Sequence, residues 1–148
     1  MSGHVFHEIY LHINWHTKLS RPLLTTSLEP EVHDFLRRRV EQTQGVFFHG
    51  VGGTATHIHL AVNIEPSVNI SDFVGDVKGA CSREINKLRR AKSLEWQRGY
   101  GVVSFGKRQL NWVLEYIANQ KEHHVRGTIH ERLERMMMDE GAWPAKHA

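Results

Sequence analysis

Thr56-His57-Ile58-His59-Leu60 lies within a longer alternation, Ile58, Leu60, Val62 and Ile64, the pattern of a half-buried β-strand whose apolar face turns inward. His57, His59, Ala61 and Asn63 share its other face. There the two imidazoles project in parallel from Cα atoms roughly 6.5–7 Å apart, a separation at which two ring nitrogens can converge on one cation. A pair of solvated or hydrogen-bonded histidines satisfies the same pattern. The rest of the chain has to decide between them.

The chain has 148 residues, of which 40% are hydrophobic and 24% charged, so a single globular domain with its own core is expected. One cysteine, Cys81, excludes an internal disulfide framework and fits a reducing compartment; its place in an amphipathic helical pattern makes it a small core residue. The first ten residues carry His4, His7 and Glu8 instead of an apolar signal run, and no apolar stretch is long enough to span a membrane. A cytoplasmic protein with no membrane partner is expected. The net charge of +3 permits binding to a polyanion without establishing it.

Around the histidine strand the remaining elements fall into order. Val5, Ile9, Leu11, Ile13 and Trp15 alternate with Glu8, His12 and Asn14 in a first, central strand. A basic and aromatic loop containing Lys18 follows. Pro30 suits the first turn of a helix through Val32, Phe35, Leu36 and Val40, which Gly45 can end in the left-handed conformation. Val46 to Val51 and the His57 strand read as a hairpin across Gly52-Gly53, with His49 a bystander near the pair. From Ser71 as N-cap, Phe73, Val74, Val77, Cys81, Ile85 and Leu88 trace a long helix. Lys78, Arg83, Lys87, Arg89, Arg90, Lys92 and Arg98, interleaved with Trp96 and Tyr100, form the most basic stretch. It suits single-stranded nucleic acid or an ordinary basic surface equally.

Gly101 to Phe105 reads as a last strand, and Leu110, Val113, Leu114 and Ile117 mark the helix that follows. Tyr116 lies about 100° from the centre of that apolar stripe, with Trp112, Gln120 and His123 around it. Tyr116 and Gln120 are four residues apart and reach the same point beside the helix. Thr128-Ile129-His130-Glu131 fits a capping box that opens a final helix through Met138. The order β-α-β-β-α-β-α-α predicts an α+β single domain over 1–148, an antiparallel sheet with helices packed on it, its core spanning 5–124 and a C-terminal helix over 128–140.

A metal held by His57, His59 and the amide oxygen of Gln120 would have only neutral protein ligands, leaving its full charge to polarise a phosphate. Tyr116, one helical turn away, could then attack phosphorus as a phenolate and form a covalent protein–DNA intermediate. A tyrosyl phosphodiester preserves the energy of the broken bond, so rejoining needs no nucleotide cofactor. Tyr116 also fits an ordinary aromatic on a helix flank.

His57-Ile58-His59, Ser71-Asp72-Phe73-Val74, Lys78-Gly79, Trp96-Gln97-Arg98-Gly99-Tyr100-Gly101 and Tyr116-Ile117-Ala118-Asn119-Gln120-Lys121-Glu122-His123-His124 together resemble the single-tyrosine HUH transposases of the smallest bacterial insertion sequences. The related REP-associated tyrosine transposases share this core. The resemblance runs from Val5 to Leu133. It implies a ferredoxin-like, or RRM-like, HUH fold in which His57 and His59 are metal ligands, Gln120 is the third and Tyr116 is the nucleophile. It further implies a Mg²⁺- or Mn²⁺-dependent enzyme that cuts single-stranded DNA beside an imperfect hairpin, leaving a 5′-phosphotyrosine and a free 3′-OH. A homodimer with sites shared between subunits is implied as well. Lys18, Lys78, Arg83, Arg89, Arg90 and Arg98 are the expected DNA contacts.

The chain departs from the family at Thr56, where many members carry an acidic residue that can orient the first histidine from behind. Two alternatives stand beside this reading. A rolling-circle replication initiator or relaxase would use the same chemistry, against which the short chain argues. A catalytically silent hairpin-DNA-binding protein would use the basic patch and leave Tyr116 idle.

Overall fold

In the computed structural model, which describes residues 4–135, the His-x-His alternation forms the strand β3 (His57–Ile64). It pairs antiparallel with β1 (Tyr10–His16) on one side and β2 (Val46–Gly53) on the other. β4 (Gly101–Phe105) pairs antiparallel with β1, so among the described residues the sheet has four strands in the order β2-β3-β1-β4. A β-α-β-β-α-β chain closes into this ferredoxin-like order. The register sets His16 opposite His57 and Asn14 opposite His59, which brings the polar faces of the two central strands together.

Leu11, Ile13, Trp15, Ile58, Leu60 and Val62 fill one face of the sheet, under α1 (Leu28–Glu41) and α2 (Ile70–Arg89), in the main hydrophobic core. The histidine face is covered too. Ala61 and Phe105 pack there against Val113 and Ile117 of α3 (Leu110–Ala118). β3 is consequently buried on both faces, where its alternation alone predicts a half-buried strand.

Gly52-Gly53, expected as a turn, instead ends β2, and Thr54 to Thr56 make the connection. The absence of a side chain at Gly52 admits α3: a Cβ there would stand 2.4 Å from the Ile117 backbone oxygen.

Other boundaries also move. β1 begins at Tyr10, not Val5, and Phe6 is 87% exposed, because no partner strand extends that far. The N-cap of α2 is Asn69, whose side chain accepts from the Asp72 N–H at 3.0 Å, while Ser71 Oγ lies 2.9 Å from Tyr100 Oη. Gly45 is left-handed at φ +83° but lies beyond the α1 C-cap, Gln42. The single helix expected after Leu110 breaks at Asn119 (φ −107°, ψ 27°) into α3 and α4 (Gln120–Arg126). The capping box does not form. α5 (Glu131–Glu134) opens at His130 without a side-chain cap, because the Thr128 hydroxyl is engaged with His123. The expected continuation of this helix beyond 135 lies outside the described residues. No described helix is long and apolar enough to cross a membrane.

Two glycine substitutions separate close packing from helix propensity. Gly52→Ala forces α3 off the sheet and should lower stability by about 1–3 kcal/mol. Gly75→Ala, on the exposed side of α2 with nothing near its added methyl, should raise it by about 0.5–1 kcal/mol. Urea midpoints of the two variants check both signs.

Candidate active site

β3 projects His57 and His59 from one face, and both rings are buried, with centroids 5.0 Å apart. Each is held from behind. The His57 Nδ1 lies 3.0 Å from both the Thr54 and the Thr56 hydroxyl, and the His59 Nδ1 lies 2.8 Å from His12 Nε2 on the neighbouring strand. Both Nε2 atoms therefore turn toward the same space. Gln120 Oε1 is 3.4 Å from the His57 Nε2. Glu134 Oε1 lies 3.5 Å from His57 Nε2, 3.3 Å from His59 Nε2 and 3.5 Å from the Nε2 of His124 on α4.

The ligand atoms of His57, His59, His124 and Glu134 all fall within 4.8 Å of one another. Burial, reinforced by the His59 ring beside it, brings the His57 pKa down to about 3, so at neutral pH its Nε2 side is not held by an imidazolium. His59 Nε2 is buried and faces Glu134 without hydrogen-bond geometry. An orphaned buried nitrogen of this kind costs about 1–3 kcal/mol, which a cation at that point would offset. Imidazole nitrogens with one carboxylate suit a divalent metal.

α3 lays Tyr116 across this cluster, its ring edge-on to His59 at 6.0 Å between centroids. The phenol donates to Glu134 Oε2 and accepts from the His130 N–H at 2.8 Å. Burial first, and the Glu134 carboxylate second, push its pKa up to about 12. Burial also pushes Glu134 upward, but His59, Tyr116 and His57 outweigh that and hold its carboxyl down at about 2. Gln120 Nε2 donates to the Tyr116 carbonyl at 3.2 Å, which leaves its amide oxygen aimed at His57. Tyr116, His57, His59 and Gln120, paired in the sequence only by spacing, thus meet in one chain.

Three site residues carry no role in the sequence reading. His12 stands in it only as the polar partner in an alternation. His124 closes the tyrosine motif without an assigned function. Glu134 has no signal at all, since its position depends on how the segment after α4 returns to the sheet. Asn14 Nδ2 donates to the carbonyls of Leu133 at 2.9 Å and Arg135 at 3.1 Å, and Arg132 donates to the Ser104 carbonyl at 2.6 Å. Gly101 lets this backbone approach so closely that a Cβ would stand 1.9 Å from the Arg135 oxygen.

The basic residues of α2 do not gather at the histidines. Lys78, Arg83, Arg89 and Arg90 lie on α2 and its C-cap, which cover the opposite face of the sheet. The Lys78 ammonium donates to the Gln97 and Gly99 carbonyls at 2.9 Å each, and burial lowers its pKa to about 8. Arg89 is paired with Glu31. Lys18, Arg83, Arg90 and Arg98 are exposed.

The family model described as "Transposase IS200 like" matches residues 5–120. Among solved structures, a protein from Deinococcus radiodurans R1 described as a candidate transposase is 22% identical, with 81% of this chain and 97% of that chain covered at a TM-score of 0.61. A REP-associated tyrosine transposase bound to a REP hairpin is 13% identical, with 87% of this chain and 76% of that chain covered at a TM-score of 0.57. At these identities the likeness shows a shared fold. No curated protein matches the chain.

Replacing Glu134 isolates its share of the phenol's shift. In Glu134→Ala the Tyr116 phenol should titrate below its wild-type value, because the negative charge that disfavours phenolate is gone. Ultraviolet absorbance titration, with each protein differenced against its Tyr116→Phe counterpart, reads the change. An unchanged value would leave burial as the sole cause.

Proposed function

The chain belongs to the IS200-like transposase family, and from that membership we propose that it cleaves and rejoins single-stranded DNA beside hairpins through a 5′-phosphotyrosine intermediate on Tyr116. The observation that carries this reading is the meeting of the Tyr116 phenol, two buried imidazoles and the Gln120 amide oxygen in one cluster. The fold neighbour with a bound REP hairpin supports hairpin DNA as the partner.

His57, His59 and Gln120 would hold a Mg²⁺ or Mn²⁺ ion, with Glu134 and His124 within reach of the same point. Such an ion supplies positive charge that polarises the scissile phosphate and offsets the charge of its transition state. Glu134 alters the expectation of an all-neutral ligand set, since an anionic ligand would cancel part of that charge.

In cleavage the Tyr116 oxygen bonds to phosphorus while the bond to the 3′ oxygen breaks, so that on balance the phenol proton ends on the 3′-OH. Rejoining is the reverse with a new 3′-OH, and no nucleotide cofactor enters. A phenol held at about 12 and bound to Glu134 is not an activated nucleophile. The phosphate must therefore take the place of Glu134 beside Tyr116. All four groups come from one chain, which supports a site built in cis, so each subunit of a homodimer would carry its own. Acting on bacterial DNA, the protein would work in the cytoplasm.

The Thr54 and Thr56 hydroxyls take the orienting position behind His57, and Thr56 stands where many family members carry an acidic residue. A hydroxyl donates or accepts, whereas a carboxylate only accepts and enforces the tautomer with a free Nε2 lone pair. Thr56→Asp should therefore tighten Mn²⁺ binding on the order of 10-fold, read by titration calorimetry.

A second reading is favoured by the tied and neutral phenol: a hairpin-binding protein that performs no chemistry. A labelled hairpin-bearing strand, recovered by copurification and incubated with protein and Mn²⁺, separates the two on a denaturing gel. Wild type should give a protein-linked product, and Tyr116→Phe should bind the strand yet give none. Binding by wild type without any adduct would establish the silent reading. Mixing Tyr116→Phe with the His57→Ala, His59→Ala double mutant should stay inactive for a cis site; restored cleavage would show sharing between subunits.

A further inference from the structure

Arg108, Trp112, Tyr116 and Gln120 follow one another at intervals of four residues, with Arg108 in the 3-10 turn Lys107–Gln109 that leads into α3, Trp112 and Tyr116 one turn apart on α3, and Gln120 at the start of α4 beyond the break at Asn119. The chemistry proposed above uses Tyr116 and Gln120 and leaves the first two unexplained. Trp112 is 49% exposed, an unusual position for the most costly apolar ring to leave in water. Its indole stacks on the Tyr116 ring at 5.6 Å and 13°, and Tyr116 stacks in turn on His123 at 4.7 Å and 26°. His130 stands at 71° to the indole. Arg108, one turn further on, is exposed and has no ion pair among the described residues. A ring pair at this spacing accounts for the stack, but neither for the exposure of the indole nor for the free cation beyond it.

The aromatic residues of the basic stretch do not offer a competing platform. Trp96 donates its indole N–H to the Lys78 carbonyl and packs edge-on against Trp15, and the Tyr100 hydroxyl is bonded to Ser71. Both are absorbed into the fold.

We propose that this stripe is a subsite for the single strand adjoining the scissile phosphate: the Trp112 indole stacks on an unpaired base of the neighbouring nucleotide, and Arg108 pairs with the next phosphate along. The subsite rests on the reading of Tyr116 as the nucleophile, since that places the phosphate beside Trp112. Stacking accepts any base, because every base presents a π-face. The stripe therefore positions the strand, and leaves sequence discrimination to contacts elsewhere.

The test uses Tyr116→Phe protein, so that binding is read without chemistry, and two probes of equal length and charge, an oligothymidylate and an abasic strand. The parent should prefer the oligothymidylate by about tenfold. Adding Trp112→Ala should abolish that preference, and Trp112→Phe should restore part of it. Adding Arg108→Ala should weaken both probes alike and reduce the salt slope by about 0.7, the share of one phosphate on a single strand. Should the alanine variant fail to melt cooperatively, the phenylalanine variant decides: a preference equal to the parent's counts against the subsite, and a reduced one supports it. Full retention of the base preference in a folded Trp112→Ala protein, or an unchanged salt slope in Arg108→Ala, would overturn the proposal. Because the adduct assay is separate, a parent without any base preference whose Tyr116 counterpart still forms the adduct rejects the stripe alone, and a Trp112-dependent base preference without any wild-type adduct rejects the nucleophile alone.

Discussion

Two imidazoles buried side by side on one strand are tolerable only if their ring nitrogens find partners, and that requirement shapes the surroundings of β3. The fold meets it from behind, with the Thr54 and Thr56 hydroxyls at His57 and the His12 ring at His59. Tying both Nδ1 atoms to the protein turns both Nε2 atoms into a common space. Both anchors can donate or accept, so the state of each ring follows what lies on its far side. A carboxylate there favours a proton on Nε2, and a cation there favours a proton on Nδ1. The burial that keeps His57 neutral makes either arrangement open to it.

Glu134 is the far side in this structure. It arrives on a four-residue helix, too short to be stable alone, so its position is set by tertiary contacts. Asn14 on β1 holds the backbone on either side of it, Arg132 ties the segment to β4, and Gly101 opens the room it needs. The carboxylate then binds the phenol and faces three imidazoles with a single side chain. One group thereby touches both halves of the proposed chemistry, and neither half can change without it.

The sheet separates these groups from the basic residues of α1 and α2. α2 and its arginines cover the face opposite the histidines, and Lys78 spends its ammonium on the loop that carries Gln97 and Gly99. Charge in the basic stretch thus supports the fold as well as the surface. Lys107 and Arg108, in the turn that leads directly into α3, lie on the histidine side, because α3 covers that face.

The succession of strands and helices, the pairing of β2 with β3 as a hairpin and the nearness of Tyr116 to Gln120 were legible in the sequence, because alternation, helical spacing and turn chemistry are local properties that each segment carries with it. The positions of Glu134, His12 and His124 were not. A side chain that reaches a site from another strand, or from a segment returning across the sheet, leaves no trace in the spacing of its own neighbours. Gly52 shows the same division: the sequence marks a residue without a side chain, which suits a turn, and only the approach of Ile117 reveals that the missing Cβ makes room for the tyrosine helix. Local periodicity determined which residues face which way, whereas the cluster itself was decided by which faces the chain's long-range packing brought into contact.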